Sequence, residues 1–373
     1  MGCGQSSVAQ DEKPKSKQPK AEAKSNTPAT PQVVDSIPIR SSEFETADYK
    51  ILLLGAGECG KSTIWRQLKL LYCGGFSDDE RAVMAPVVKL NVISDIKSLM
   101  GEVTRSGQSF SGELQNYFED INSLQSTDQD LVPEAANEIK ALWQDPIMKA
   151  SYKESNSIGL GDYTDFFFDN VERIAQPDYL PTDEDLLKSR IRTTGISIMQ
   201  FEIDNKIKTD LYDIGGQKCE RAKWSKCFTG VNYLLFVVSL SDFDQYMFED
   251  DSIKRTQDSI DLFTSTATSA IFKNKPIFLI LNKKDMFEKK LKEHPDKFRE
   301  TYPGFEGDIN NVDACIEHVK NRFLKGLGDR DEKTAWVKAI PTCAMDANNI
   351  RSLFQTLASQ VKQDFQQSAE ANA

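Results

Sequence analysis

The chain has 373 residues, 39% hydrophobic and 28% charged, which suffices for two folded units with separate cores and excludes a fibrous or wholly disordered protein. Its formal charge of −11 argues against a general nucleic-acid binder, because phosphate backbones need a basic footprint. No apolar run reaches the roughly 20 residues of a membrane-spanning helix, and two histidines, His294 and His318, leave little material for a zinc cluster or a His-based triad.

The opening MGCGQSS lacks a charged region followed by an apolar core, so no secretory signal is expected. With that, seven scattered cysteines and no CxxC pair suggest free thiols in a reducing compartment. Residues 1–43 form a Lys-, Ser- and Pro-rich arm, with Pro14, Pro19, Pro28, Pro31 and Pro38, which reads as flexible. The folded part opens at 49–54, YKILLL, a short apolar strand entering a glycine-rich turn.

Residues 70–189 carry helical periodicity and little strand character, too much for a loop, and read as an inserted helical domain. Ser77 followed by Glu80 resembles a capping box that starts a long helix, and Val83, Val87, Leu90 and Val92 onward are expected to supply its apolar face. Pro86 is expected to kink that helix or delay its start. Connectors are expected at 73–75 and 177–182. Further strands are expected at 208–214, 233–240, 276–282 and 339–343, separated by helices around 254–263, 314–327 and 348–365. Such alternation indicates a mostly parallel sheet covered on both faces, with ligands beyond the carboxyl ends of its strands.

Residues 55–63, GAGECGKST, satisfy the pattern G-x-x-x-x-G-K-[ST] between a strand and a helix. Backbone N–H groups of such a loop curl around phosphates, Lys61 reaches the outer phosphates, and Ser62 can ligate magnesium. Residues 282–285, NKKD, follow a strand, where Asp285 can accept two hydrogen bonds from the guanine edge and adenine offers no such pair. Residues 213–217, DIGGQ, end another strand: Asp213 can hold the magnesium shell, Gly216 can approach a terminal phosphate, and Gln217 can orient a water.

The ordered set GAGECGKST, KSRIRTTG, DIGGQ, NKKD and TCAMD, spread over 49–365, resembles the α subunits of heterotrimeric G proteins. The resemblance implies an α/β fold: a Ras-like P-loop GTPase domain with a mostly parallel six-stranded sheet, built from 44–69 and 190–373, and an all-helical domain at 70–189. It implies a switch that binds GTP and GDP with Mg2+ and hydrolyses GTP, with Arg190 as built-in arginine finger and Gln217 as the second catalytic residue. Nucleotide contacts would come from Glu58, Cys59, Gly60, Lys61, Ser62, Thr63, Asp169, Asn170, Leu187, Lys188, Arg190, Thr193, Asp213, Gly216, Gln217, Asn282, Lys283, Asp285, Cys343 and Ala344. Ser62, Thr193 and, through water, Asp213 would hold the ion; Glu58 would pair with Arg190 in some nucleotide states; Thr342 would offer backbone to the guanine oxygen.

Implied partners are a Gβγ dimer, a seven-transmembrane receptor, effectors and GTPase-activating regulators. Trp224 and Phe228 resemble switch residues that meet Gβγ, whereas prolines stand in the arm where the family has a docking helix, and the tail QQSAEANA is polar. Cys59 replaces the usual Ser; it reads either as a thiol reactive in the empty protein or as a small buried hydrophobe. Gly2, Cys3 and Ser6 fit N-myristoylation with adjacent palmitoylation, hence lipid anchoring on the cytoplasmic face of the plasma membrane. Exchange without a receptor, binding without turnover and an ATP-dependent kinase are the competing readings; Arg190 with Gln217 speaks against the second, and NKKD against the third.

Overall fold

The computed structural model describes residues 37–371 apart from 38, 44, 126, 155–158, 248–251 and 332–333. The chain starts with strands β1 (Ile39–Ser41) and β2 (Tyr49–Gly55) and helix α1 (Lys61–Tyr72). A helical stretch follows: α2 (Asp78–Arg105), α3 (Glu113–Ser123), α4 (Pro133–Gln144), α5 (Pro146–Glu154), α6 (Thr164–Asp169), α7 (Val171–Ile174) and α8 (Asp183–Lys188). Strands then alternate with helices: β3 (Ile196–Ile203), β4 (Ile207–Ile214), α9 (Lys218–Arg221), β5 (Tyr233–Ser239), α10 (Arg255–Ala267) and β6 (Ile277–Asn282). The chain closes with α11 (Lys284–Glu293), α12 (Pro295–Thr301), α13 (Val312–Leu324), β7 (Val337–Pro341) and α14 (Ala347–Ala371).

The strands form one sheet in the order β1-β3-β4-β2-β5-β6-β7. The four pairings from β4 to β7 are parallel, and β1–β3 and β3–β4 are antiparallel. The mostly parallel sheet is as expected, but it has seven strands among the described residues, not six. The added strand lies inside the stretch read as a flexible arm: Ile39 pairs with Ile203, and Ile37 exchanges two hydrogen bonds with the Gln355 side chain. Ile37 and Ile39 pack on the apolar cluster beneath α14, so apolar burial anchors a segment whose composition suggested none.

Side chains of β2, β5 and β6 alternate between two cores. Leu52, Leu54, Phe236 and Leu279 join one cluster with Phe263 of α10 and Phe323 of α13. Ile51, Leu53, Leu235 and Ile280 join the other with Ile64 of α1 and Leu357 of α14. Period-two alternation with both faces apolar is what a sheet covered by helices on both sides requires.

The insert has a third core, which includes Ile96, Leu99, Leu142, Trp143 and Phe168. Helix α2 starts on the expected Ser77–Glu80 capping box, and neither delays nor stops for Pro86. Its buried face runs through Ala85, Val88, Val92, Ile96, Leu99 and Val103, whereas Val83 is 77% and Leu90 39% exposed. The expected face was therefore displaced around the helix: Ala85 and Val88, not Val83 and Leu90, continue the spacing set by Val92 and Ile96.

Candidate functional site

The parallel strands deliver their loops to one end of the sheet. The chain leaves β2 through Gly55, and Gly60, at φ 97°, precedes α1. A Cβ on Gly60 would collide with Asn282 Nδ2, and one on Gly216 with Lys61 Nζ and the Gly55 carbonyl, so both positions require glycine. Lys61 is buried and donates to the carbonyls of Gly55 at 3.0 Å and Ala56 at 2.7 Å. Its ammonium thus lies inside the loop it is expected to complete, with Thr63 two residues farther along α1.

Ser62 and Thr193 meet through their hydroxyls at 2.5 Å, joining α1 to the segment after α8. Asp213, at the end of β4, is 2% exposed, and its Oδ1 has no hydrogen-bond partner among the described residues. Burial pushes its carboxyl up to about 6 against the pull of Lys61 and Arg66. Hard oxygen donors with an unsatisfied buried carboxylate fit Mg2+. Arg66 is held beneath them by the carbonyls of Leu186 and Ser189.

Arg190 donates to the Gly159 carbonyl at 2.8 Å and pairs with Glu58, as expected. Glu58 also meets Arg255 of α10 at 2.6 Å, and Arg255 carried no motif that would have flagged it. Gln217, directly before α9, has a buried Oε1 without a partner among the described residues. Arg221 bonds both oxygens of Asp258 on α10, at 3.0 and 2.6 Å, and the Gly216 carbonyl at 3.2 Å, so this segment is docked on α10. Trp224 does not face outward: it is 4% exposed and donates to the Gly215 carbonyl at 2.8 Å. Phe228 stacks edge-on against Phe272.

Across the sheet, Asn282 ties three loops. Its Nδ2 donates to the Cys59 carbonyl at 3.0 Å, and its Oδ1 accepts from Ala344 N at 3.0 Å. Thr342 N donates to the Leu281 carbonyl at 2.8 Å, and the Thr342 carbonyl accepts from Lys284 N at 3.1 Å. Lys283, at φ 60°, pairs with Asp162 at 2.6 Å and Asp242 at 3.6 Å. Burial alone would lower its affinity for a proton, but Asp162 and Asp242 hold it above the ordinary lysine value. Asp285 is exposed beside Cys343, whose thiol burial and this carboxylate push up to about 11.

The edge residues need one correction. Asp169 accepts from Trp143 at 2.7 Å and Asn170 donates to the Phe166 carbonyl at 2.8 Å, both within the insert. Asp162 reaches the NKKD loop instead, on Lys283, and burial, followed by the field of Asp285, raises the phenol of Tyr163 beside it. Lys188 lies 3.6 Å over the Phe166 ring, and Leu187 is buried. Cys59 is 1% exposed within the apolar cluster under α1, with its sulfur 3.6 Å from Lys61 Nζ, which favours the buried hydrophobe over the reactive thiol. Gly2 and Cys3 lie outside the described residues.

The sequence profile of the family described as G-protein alpha subunit matches residues 26–361. The guanine nucleotide-binding protein alpha-2 subunit of Caenorhabditis elegans is 35% identical over 331 residues, covering 87% of this chain and 90% of that one. The G-protein complex alpha subunit of Aspergillus fumigatus is 35% identical over 94% of each chain. A guanine nucleotide-binding protein subunit alpha of Sporothrix schenckii is 38% identical over 82% of this chain and 85% of its own.

Proposed function

This chain belongs to the family of G-protein α subunits, and from that premise we propose that it is a switch that binds GTP and GDP and hydrolyses GTP. The observation that carries the proposal is the Asn282 amide, which joins the phosphate loop at Cys59 to the loop at Ala344. That tie sets Asp285, the base-reading carboxylate, at a fixed remove from the backbone groups that would cradle phosphate. Asp285 selects guanine by pairing its N1–H and amino donors. The N–H groups of the phosphate loop and the amino end of α1 bind the phosphates.

Arg190 and Gln217 then divide the hydrolysis. Arg190 places its positive charge against the negative charge that spreads over the oxygens of the transferring group, which requires it to exchange Glu58 for phosphate oxygen. Gln217, with its amide oxygen unpartnered among the described residues, orients and accepts from the attacking water. Ser62, Thr193 and, through water, Asp213 would hold Mg2+, which would supply charge neutralisation to the phosphates. Effectors and GTPase-activating regulators would read the segment around 217–228, which Arg221 couples to α10. Gβγ and a receptor complete the partner set that family membership suggests, and lipid on Gly2 and Cys3 would place the protein on the inner membrane surface.

The test is single-turnover hydrolysis with GTP and ATP side by side. Wild-type protein should hydrolyse GTP and not ATP, and Arg190→Cys and Gln217→Leu should each lose at least about 100-fold in kcat with GTP affinity kept. Equal hydrolysis by wild type and both variants would remove these assignments.

A further inference from the structure

Two contacts across the cleft arise from one short turn of the insert. In residues 159–164, the Gly159 carbonyl accepts from Arg190 at 2.8 Å, and the Asp162 carboxylate meets Lys283 at 2.6 Å. Arg190 stands at the phosphate end of the cleft and Lys283 at the base end, so the turn spans the ligand's length. Its conformation therefore decides where the arginine sits and whether the insert is latched over the base.

A side chain of the long insert helix also holds this turn from outside it. Asp95 of α2 accepts from Thr164 Oγ1, and the Gly161 N–H stabilises its carboxylate. Thr164 Oγ1 also lies 3.0 Å from the Gly161 carbonyl, which closes the turn on itself. Gly161 permits this approach, since a Cβ there would lie 3.2 Å from Asp95 Oδ2. One helical turn earlier, on the same side of α2, Asn91 donates to the Arg190 carbonyl at 3.1 Å. Helix α2 thus grips the arginine's backbone directly and its side chain's acceptor through Asp95. Asp95 is half-buried, makes no hydrogen bond to the phosphate loop among the described residues, and lies in the field of Arg190 and Glu58.

We propose that Asp95 is a positioning residue: by pinning residues 159–164 it sets Arg190 for hydrolysis and keeps the insert latched to Lys283, and so controls nucleotide release. The proposal rests on reading the chain as a GTPase. A carboxylate that accepts from Thr164 is not replaced by an alkyl group, and opening the turn loosens both contacts at once. Asn at this position keeps an acceptor and should retain part of the effect.

The experiment uses the full chain and measures release of a fluorescent GDP analogue, single-turnover hydrolysis, and amide hydrogen exchange by mass spectrometry. Asp95→Ala should release GDP about tenfold faster and hydrolyse GTP several-fold more slowly, with Asp95→Asn intermediate. Thr164→Val cuts the same link from the other side and should reproduce the release effect if Asp95→Ala folds poorly. Because Asp95 acts through Asp162, the double variant Asp95→Ala/Asp162→Ala should release GDP no faster than Asp162→Ala alone. In nucleotide-free protein, Asp95→Ala should raise exchange at residues 161–164 and at Arg190. Wild-type protein that binds no GDP would sink the GTPase reading, while the exchange measurement would still judge Asp95. Unchanged release together with unchanged exchange in Asp95→Ala, or additive release in the double variant, would overturn the proposal.

Discussion

Replacing Asn282 by Ala should loosen the whole site without removing any group assigned to the reaction. The change leaves the Cys59 carbonyl and the Ala344 N–H, both now bonded to the Asn282 side chain at 3.0 Å, without partners in a buried setting. Each buried backbone group left unpaired costs about 1–3 kcal/mol, so the pair costs roughly 4 kcal/mol. At about 2–4 °C per kcal/mol for a chain of this kind, the nucleotide-free protein should melt roughly 10 °C lower. GDP binding should weaken as well, because ordering of two loops that Asn282 now holds becomes part of the binding step. Asn282→Asp is the control: it keeps an acceptor for Ala344 but turns an anion toward the Cys59 carbonyl, and it should be no better than Ala. Thermal melts with and without GDP, together with the GDP off-rate, measure both effects. A melting temperature within 2 °C of wild type on the scale of that estimate, or a fully active Asn282→Asp, would refute the reasoning.

Asp285→Asn should weaken guanine-nucleotide binding by about 2–4 kcal/mol and shift preference toward xanthine nucleotides, read by competition binding; unchanged GTP affinity would make NKKD mere surface charge. Gly2→Ala should release the protein from membranes and Cys3→Ala should leave weak, reversible attachment, scored by fractionation; a double variant that stays bound would require another anchor. Among cysteines of the described residues, a maleimide at pH 8 should label exposed Cys219 first, and slowly Cys343, raised to about 11 by burial and Asp285, and buried Cys59. Fast labelling of Cys59 by mass spectrometry would restore the reactive-thiol reading.

Strands buried on both faces were legible nearly to the residue, because β2, β5 and β6 are continuous apolar runs. Strand β3 was not: Ile196 and Ile198 are exposed, so the stretch ISIMQFEI has neither a continuous run nor a clean alternation with polar residues. The three-residue turn 204–206, with Asp204 and Asn205 both at φ 55°, joins it to β4 and carries no glycine to announce itself. Motif residues stood out because their chemistry needs fixed spacing along one loop. Arg66, Arg255 and the adjacent Asp162 and Tyr163 did not, since they come from three separate parts of the chain and only the fold brings them to the cleft. Asp169 and Asn170 illustrate the converse, a polar pair at a plausible distance whose partners are Trp143 and Phe166.

Strand β1 also fixes where the chain can be shortened. Cutting before Ile37 spares the pairing of Ile39 with Ile203 and the two bonds to Gln355, whereas starting at residue 45 strips both. The shorter protein would bare the backbone of β3 along residues 201–203, with Phe201 and Ile203 beside it, and an uncovered strand edge next to apolar side chains invites pairing between molecules. Polypeptide begun at Tyr49, where the first long strand starts, should therefore precipitate sooner than polypeptide begun at Ile37, although the two differ by only a dozen residues.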